Sequence, residues 1–162
     1  MSDEGIPEIR GFRTRALVWL MHRFFLVRRG MTLGVRAACF DAEGRIFLVR
    51  HTYIPGWYMP GGGMEPLETA LDALRKELRE EGNLEIRGEA ELFHVYYNRN
   101  ASRRDHVLFY RVTVEQTAPR APDREIAESG FFPLDALPKD TTSATRRRLK
   151  ELNGEAERSD YW

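Results

Sequence analysis

Three glutamates near the middle of the chain, Glu77, Glu80 and Glu81, have the type and spacing of ligands for a hard cation. At about 100° per residue they lie on one flank of a helix, and Glu81 leans toward its apolar stripe. Carboxylates crowded at an apolar edge repel one another and lose hydration, which bound Mg²⁺ or Mn²⁺ relieves. From periodicity alone, a solvated flank paired with neighbouring basic residues is the alternative.

A run of three glycines, Gly61, Gly62 and Gly63, comes before the same helix. Glycine lets the backbone approach a ligand closely, and N–H groups before a helix can face phosphate oxygens. A tight strand–helix connection would also explain the run. Residues 64–91 hold nine acidic and four basic residues. Together, the glycines and the acidic helix predict a site for a metal and a phosphate.

The composition limits the function classes that the chain can serve. The 162 residues predict a single globular domain, and the formal net charge of zero gives no reason to expect nucleic acid as a partner. Cys39 is the only cysteine, which excludes an internal disulfide framework and a multi-cysteine zinc site. No apolar stretch is long enough to span a membrane, so a reducing cytoplasm is the expected location.

The elements that must position these residues follow from hydrophobic periodicity and turn residues. A helix over about 66–81 buries an apolar stripe at Leu67, Leu71, Leu74 and Leu78, with Pro66 in its first turn. The other elements, without strict alternation, favour α+β or an α/β/α sandwich with a mixed sheet. These are strands at 35–40 and 45–50 joined as a hairpin, strands at 92–97, 106–114 and 131–132, a turn at 134–137 and a helix at 142–152, which Thr141 and Thr142 can cap.

The chain is predicted to divide into a tail with a helix over 1–30, a domain over 31–155 and a C-terminal tail over 156–162. In the helix over 16–29, the residues Leu17, Leu20, Met21 and Phe24 form one apolar face. This face packs on the domain, pairs two subunits as a homodimer or contacts a membrane surface peripherally.

The segment over residues 62–84 resembles the Nudix box. That signature reads Gly-x5-Glu-x7-Arg-Glu-aliphatic-x-Glu-Glu-x-Gly-aliphatic. Here Gly62, Glu68 and the run KELREEGNL from Lys76 follow it at the same spacing. Two positions depart from it, since Lys76 replaces arginine and Asn83 replaces glycine. Asparagine tolerates left-handed backbone, whereas lysine keeps the charge of arginine without its forked geometry.

The resemblance implies an α/β/α sandwich that hydrolyses a nucleoside diphosphate linked to another group, with Mg²⁺ or Mn²⁺ as cofactor. The substrate would be a small nucleotide: an NTP, a nucleotide sugar such as ADP-ribose, or a dinucleoside polyphosphate. The alternative is a nucleotide-sensing module without turnover.

The resemblance also implies roles for individual residues. Glu77, Glu80 and Glu81 map onto the metal-binding acids, with the Gly61 carbonyl as a further ligand. Glu68 maps onto the acid that pairs with residue 76 or helps to bind the metal. Glu77, or an acid outside the box, accepts a proton; Glu125 is the first outside candidate and Glu128 the second. Candidate substrate contacts lie on the glycine run and on nearby cationic and aromatic residues. These are Arg50, Tyr53, Trp57, Tyr58, Gly62, Gly63 and Arg99, with Arg103 and Arg104 beside the last.

Overall fold

The computed structural model describes residues 12–28 and 30–162. It contains two compact units, one within residues 1–31 and one over Thr32–Trp162. The first unit contributes helix α1 (Phe12–Arg28), which includes most of the helix predicted over 16–29. Predictions for the chain before residue 12 lie outside the described residues.

The apolar side chains of α1 are not confined to one face. Leu17, Leu20 and Phe24, which were predicted to form one apolar face, are exposed, and so is Trp19, which is 62% exposed. At about 100° per residue Trp19 projects away from the Leu17 stripe, so the helix is less amphipathic than the sequence pattern indicated. No helix within the described ranges is long and apolar enough to cross a bilayer. Dimerisation and membrane contact by this helix stay predictions.

The second unit is built on a mixed five-stranded sheet in the order β3-β4-β1-β2-β5. The strands are β1 (Thr32–Phe40), β2 (Ile46–His51), β3 (Leu84–Tyr97), β4 (Asp105–Gln116) and β5 (Ile126–Phe132). β1 and β4 are parallel, whereas the other neighbouring pairs are antiparallel. The predicted hairpin of β1 and β2 and the predicted mixed sheet are therefore confirmed.

Helices cover both faces of the sheet, which gives the predicted α/β/α layers. Helix α2 (Ala70–Gly82) packs Leu74 and Leu78 against the face that carries Val35 and Val49. On the opposite face, Leu149 of helix α3 (Ser143–Leu152) packs into a second cluster of buried apolar residues. Its members include Ala38, Ile46, Leu48, Trp57 and Phe109. Alternate residues of β1 and β2 enter opposite core clusters, as the strand period of two requires.

Helix α2 begins at Ala70, four residues after the predicted start at Pro66. The Thr69 hydroxyl accepts a hydrogen bond from the Asp72 amide, and the Asp72 carboxylate accepts one from the Thr69 amide. This capping box sets the first turn. Leu67 lies before it with a φ of 72° and is fully exposed, so including it in the apolar stripe was wrong.

Asn83 ends helix α2 in the left-handed conformation, with φ 52° and ψ 38°. Its side-chain amide donates to the carbonyls of Ala118 and Pro119. Asparagine thus performs the capping role that the box usually gives to glycine. The helix therefore stops directly after Glu81 and Gly82, and β3 starts at Leu84.

The segment predicted as a C-terminal tail, 156–162, is attached to the sheet. The Tyr97 amide donates to the Asp160 carbonyl, and the Trp162 amide donates to the Tyr97 carbonyl.

Helix α3 carries a buried ion pair, in which the fully buried guanidinium of Arg148 lies 2.6 Å from the carboxylate of Glu151. Thr142 caps α3 as predicted.

Candidate active site

The glycine run lies directly against helix α2. The Gly61 amide donates a 2.8 Å hydrogen bond to Oε2 of Glu81, whose side chain is almost fully buried. Gly61 has a φ of 144°, and a Cβ there would lie 2.1 Å from the carbonyl oxygen of Val35. Only glycine fits this position, which brings the main chain next to the glutamate.

The next glycine makes room for a second carboxylate. A Cβ on Gly62 would lie 2.5 Å from the carboxylate of Glu77. The carbonyls of Pro60 and Gly62 accept hydrogen bonds from amides of β1, which leaves the Gly61 carbonyl outside that ladder. Two glutamates one turn apart therefore meet the main chain of the glycine run, and a metal and phosphate site there stays a prediction.

A histidine and a second acid extend this cluster. Among the described residues, one group of three potential ligands has its donor atoms within 4.8 Å of one another: His51, Glu81 and Glu125. The Nε2 atom of His51 lies 3.6 Å from Oε1 of Glu81, and both side chains are buried. Glu125, which comes just before β5, is exposed. These donors suit a divalent cation that accepts oxygen and nitrogen ligands.

The carboxylates are held where their ionised forms are poorly solvated. Burial raises the pKa of Glu81 to about 7, against the opposing effects of the Gly61 hydrogen bond and the Arg36 charge. Burial, and then the charge of Glu80, raises the pKa of Glu77. A cation would relieve this, so the residues present fit a divalent metal.

Glu68 lies just before α2 and links the loop there to the helix. Its Oε2 atom lies 3.4 Å from Nζ of Lys76, and its Oε1 atom accepts a hydrogen bond from the Glu65 amide. Glu65 lies 3.6 Å from the same lysine. The pairing of residues 68 and 76 forms with lysine in place of arginine.

The family can be decided from the sequence match. The sequence model of the NUDIX domain matches residues 30–152. The chain belongs to the Nudix family. Its curated relatives include the human (Homo sapiens) 8-oxo-dGDP phosphatase NUDT18, which is 34% identical over 131 residues. That alignment covers 78% of this chain but 40% of the relative, so the chain spans well under half of that protein's length.

A second relative is an RNA pyrophosphohydrolase from Legionella pneumophila, 35% identical over 65 residues. That match covers 40% of this chain and 37% of the relative. Solved Nudix structures share the fold over most of their length. The MutT Nudix hydrolase from Burkholderia pseudomallei has a TM-score of 0.63 at 27% identity, with 75% of this chain and 97% of that one covered. An ADP-ribose pyrophosphatase from Streptococcus suis has a TM-score of 0.59 at 27% identity, with 81% and 95% covered.

Glu80, the remaining acid of the Nudix box, lies on the exposed side of the helix. Its main-chain carbonyl accepts a hydrogen bond from Nε of Arg120, which ties the loop before β5 to α2. Its carboxylate is close enough to raise the pKa of Glu77. Glu80 therefore belongs electrostatically to the box cluster, although it is not one of the three donors grouped within 4.8 Å.

Arg50, predicted to clamp a phosphate, shares its sheet face with Leu48 rather than with the Nudix box. It forms an ion pair with Glu128 and lies over the Trp57 ring, with Cζ 5.9 Å from the ring centroid. Trp57 is buried in the core between the sheet and α3. The structure thus places neither residue among the box carboxylates, because strand residues alternate between faces.

The other predicted contacts fall in two places. The rings of Tyr53 and Tyr58 lie 5.1 Å and 5.8 Å from that of His51, and Tyr53 is 70% exposed. Arg99 stacks on Tyr161, at 4.7 Å from the ring centroid, beside the β3 edge of the sheet. The tyrosines therefore border the carboxylate cluster of this Nudix domain, whereas Arg99 lies toward the opposite sheet edge from Glu125.

Sequence reasoning missed two residues of the site, His51 and Arg36. The sequence contained a signal for His51. Alternate residues of a strand share a face, and Phe47 and Val49 of β2 face α2, so the pattern places His51 on that face as well. Burial, and then the Arg36 charge, lowers the pKa of His51. Arg36 donates to the Met59 carbonyl at 2.8 Å, which fixes a positive charge near Glu81. Nothing in the sequence around Arg36 distinguishes it from a strand residue in water.

Proposed function

We propose that this protein is a divalent-metal-dependent hydrolase that cleaves the diphosphate bond of a nucleoside diphosphate linked to another group. The observation that carries the proposal is the contact of Glu77 and Glu81 with Gly62 and Gly61. It places two carboxylates of raised pKa beside main-chain groups that a diphosphate can approach. Glu81, Glu80 and the Gly61 carbonyl are the proposed oxygen ligands of the metal.

When bound, the divalent cation supplies Lewis acidity toward the phosphate oxygens and the attacking water. The chain's own residues do the rest. Of the three proton acceptors suggested by the sequence, Glu77 fits best, because burial raises its pKa and a carboxylate of higher pKa is a stronger base. The fixed charge of Arg36 near the cluster offsets part of the negative charge that a diphosphate brings.

Two of these similar proteins support a small nucleotide as substrate. The human relative is an 8-oxo-dGDP phosphatase, and one structural neighbour is an ADP-ribose pyrophosphatase. Both names describe cleavage at a nucleoside diphosphate. The exposed Tyr53 beside His51 offers an aromatic face that a base can stack on. NTPs, nucleotide sugars and dinucleoside polyphosphates are therefore the classes to test.

The test is chromatographic detection of the cleavage products of a panel of these three classes, such as a nucleoside monophosphate and pyrophosphate from an NTP or a nucleoside monophosphate and a sugar phosphate from a nucleotide sugar, with Mg²⁺, with Mn²⁺ and with EDTA. Turnover of one class that EDTA abolishes is the expected result and identifies the substrate class. Absence of turnover with every class and metal, while nucleotide binding persists by calorimetry, contradicts the proposal and supports a nucleotide-sensing module instead.

A further inference from the structure

His51 is a buried polar side chain without an evident structural purpose. It is the last residue of β2, and its side chain is 6% exposed. Its Nδ1 atom has no hydrogen-bond partner within the described part of the chain. Its Nε2 atom lies 3.6 Å from Oε1 of Glu81, beyond the usual length of an N–H···O hydrogen bond. Leaving a buried polar atom unpaired costs about 1–3 kcal/mol, so the position calls for an explanation.

The surroundings of the ring show where a ligand would bind. The rings of Tyr53 and Tyr58 lie 5.1 Å and 5.8 Å from the His51 ring. One carboxylate oxygen each of Glu81 and Glu125 lies within 4.8 Å of a His51 nitrogen and of the other. One nitrogen donor and two oxygen donors are therefore grouped together, and Glu81 joins the group to the glycine run through its contact with Gly61.

The spacing of these donors suits coordination rather than direct contact. Metal–ligand bonds of about 2.0–2.2 Å place neighbouring ligand atoms roughly 3 Å apart. The distance from His51 Nε2 to Glu81 Oε1 is 3.6 Å, so a small side-chain movement would bring both atoms to coordination distance. Glu125 is exposed, so rotation of its side chain can bring its carboxylate closer to His51 and Glu81 than the present limit of 4.8 Å. Nε2 is the ring nitrogen that lies next to Glu81, at 3.6 Å from Oε1, and is therefore the nitrogen available to a cation that Glu81 binds.

The geometry points to His51 as a nitrogen ligand of a divalent cation that Glu81 and Glu125 also bind. This rests on the proposed function, since the same cation serves the diphosphate site, and it adds a ligand that the Nudix box does not contain. An imidazole nitrogen among carboxylates favours Mn²⁺ and other transition metals over Mg²⁺, which prefers oxygen alone. The site is therefore selective for a transition metal.

The test is electron spin-echo spectroscopy of Mn²⁺ bound at one equivalent to the untagged full chain. The expected result is nitrogen modulation from a coordinated imidazole, which changes when the histidines are labelled with ¹⁵N. In His51→Gln the modulation disappears and Mn²⁺ affinity, measured by calorimetry, falls at least about ten-fold, while Mg²⁺ affinity changes less. His94→Gln, which changes a partly exposed histidine on β3, is the matched control. This variant should keep the nitrogen modulation and the Mn²⁺ affinity of the unsubstituted protein.

The outcomes separate this inference from the proposed function. Mn²⁺ that binds and supports turnover without nitrogen modulation overturns the histidine ligand and leaves the hydrolase standing. Equal Mn²⁺ affinity in His51→Gln and in the unsubstituted protein also overturns the histidine ligand and leaves the hydrolase proposal standing. Absence of binding by either cation overturns both. Because the ¹⁵N experiment needs no substitution, its result is independent of whether His51→Gln folds.

Discussion

The α-carbon of Gly62 faces the carboxylate of Glu77 so closely that a Cβ would lie 2.5 Å from it. Gly62→Ala must therefore displace the Glu77 side chain, and we expect turnover to fall about ten-fold or more. Gly130→Ala is the matched control, because a Cβ there would make only an ordinary contact with the Phe132 ring, at 3.8 Å. Steady-state kinetics of both variants check this. Equal rates for the two alanine variants would contradict the proposed role of Glu77.

Removing the charge of Glu81 tests the central ligand. Glu81→Gln can still accept the hydrogen bond from the Gly61 amide but loses the charge that binds a cation. We expect turnover to fall at least ~10²-fold at saturating Mg²⁺. Glu89→Gln, an exposed position in the same acidic segment, should keep the full rate. A near-normal rate in Glu81→Gln would show that the ligand assignment is wrong.

The raised pKa of Glu81 predicts how stability varies with pH in the metal-free protein. Between the ordinary value of 4.5 and about 7, the folded state holds a proton that the unfolded state has released. The unfolding free energy therefore falls as pH rises through this range, by up to roughly 3 kcal/mol from this group. Burial raises the pKa of Glu77 as well, which adds to the fall, whereas the lowered pKa of His51 opposes it.

Urea unfolding in EDTA at pH 4.5 to 7.5, for the unsubstituted protein and for Glu81→Gln, isolates this contribution. As the pH rises, the free energy of unfolding of Glu81→Gln should increase relative to that of the unsubstituted protein. Added Mn²⁺ should abolish this difference. Parallel curves for the two proteins would mean that Glu81 is not destabilised by burial.

The buried ion pair of Arg148 and Glu151 predicts a large effect far from the metal site. The guanidinium lies over Tyr96, at 4.1 Å from the ring centroid, and 5.5 Å from that of Trp162. Arg148→Met leaves the Glu151 carboxylate buried without its charge partner, so we expect a loss of about 3–5 kcal/mol of stability. Denaturant unfolding measures it.

Two further variants interpret that loss. The double variant Arg148→Met/Glu151→Gln should recover much of the stability, because the buried charge is removed as well. Lys150→Met, an exposed change on the same helix, should stay within about 0.5 kcal/mol. If the double variant is no more stable than Arg148→Met, the lost packing of Arg148 against the aromatic rings explains the effect instead.

The sequence predicted the parts of this fold that depend on local patterns. Alternation located β1 and β2, a threonine cap located the start of α3, and the tolerance of Asn83 for left-handed backbone matched the observed end of α2. The start of α2 was misplaced because Pro66 suits a first turn, whereas the reciprocal Thr69–Asp72 hydrogen bonds place it later.

The site was predictable where its residues share one helix and less so elsewhere. The box glutamates were found from spacing along α2. Arg50 and His51 are adjacent in sequence, yet their side chains leave opposite faces of the sheet, and only tertiary packing shows which one meets Glu81. The contribution of Arg36 depends on the close approach of Met59, which spacing along the chain does not reveal.

β5 hydrogen-bonds to β2 on one side and forms an edge of the sheet. Edge strands exchange their amide hydrogens through local opening more readily than central ones. Glu125 precedes this strand, and the Glu125 carbonyl accepts a hydrogen bond from Thr52. Transient detachment of β5 would therefore withdraw one carboxylate while Glu81 and the glycine run remain in place. Occupancy of the metal site should slow exchange selectively in β5, which links cation binding to the dynamics of a single strand.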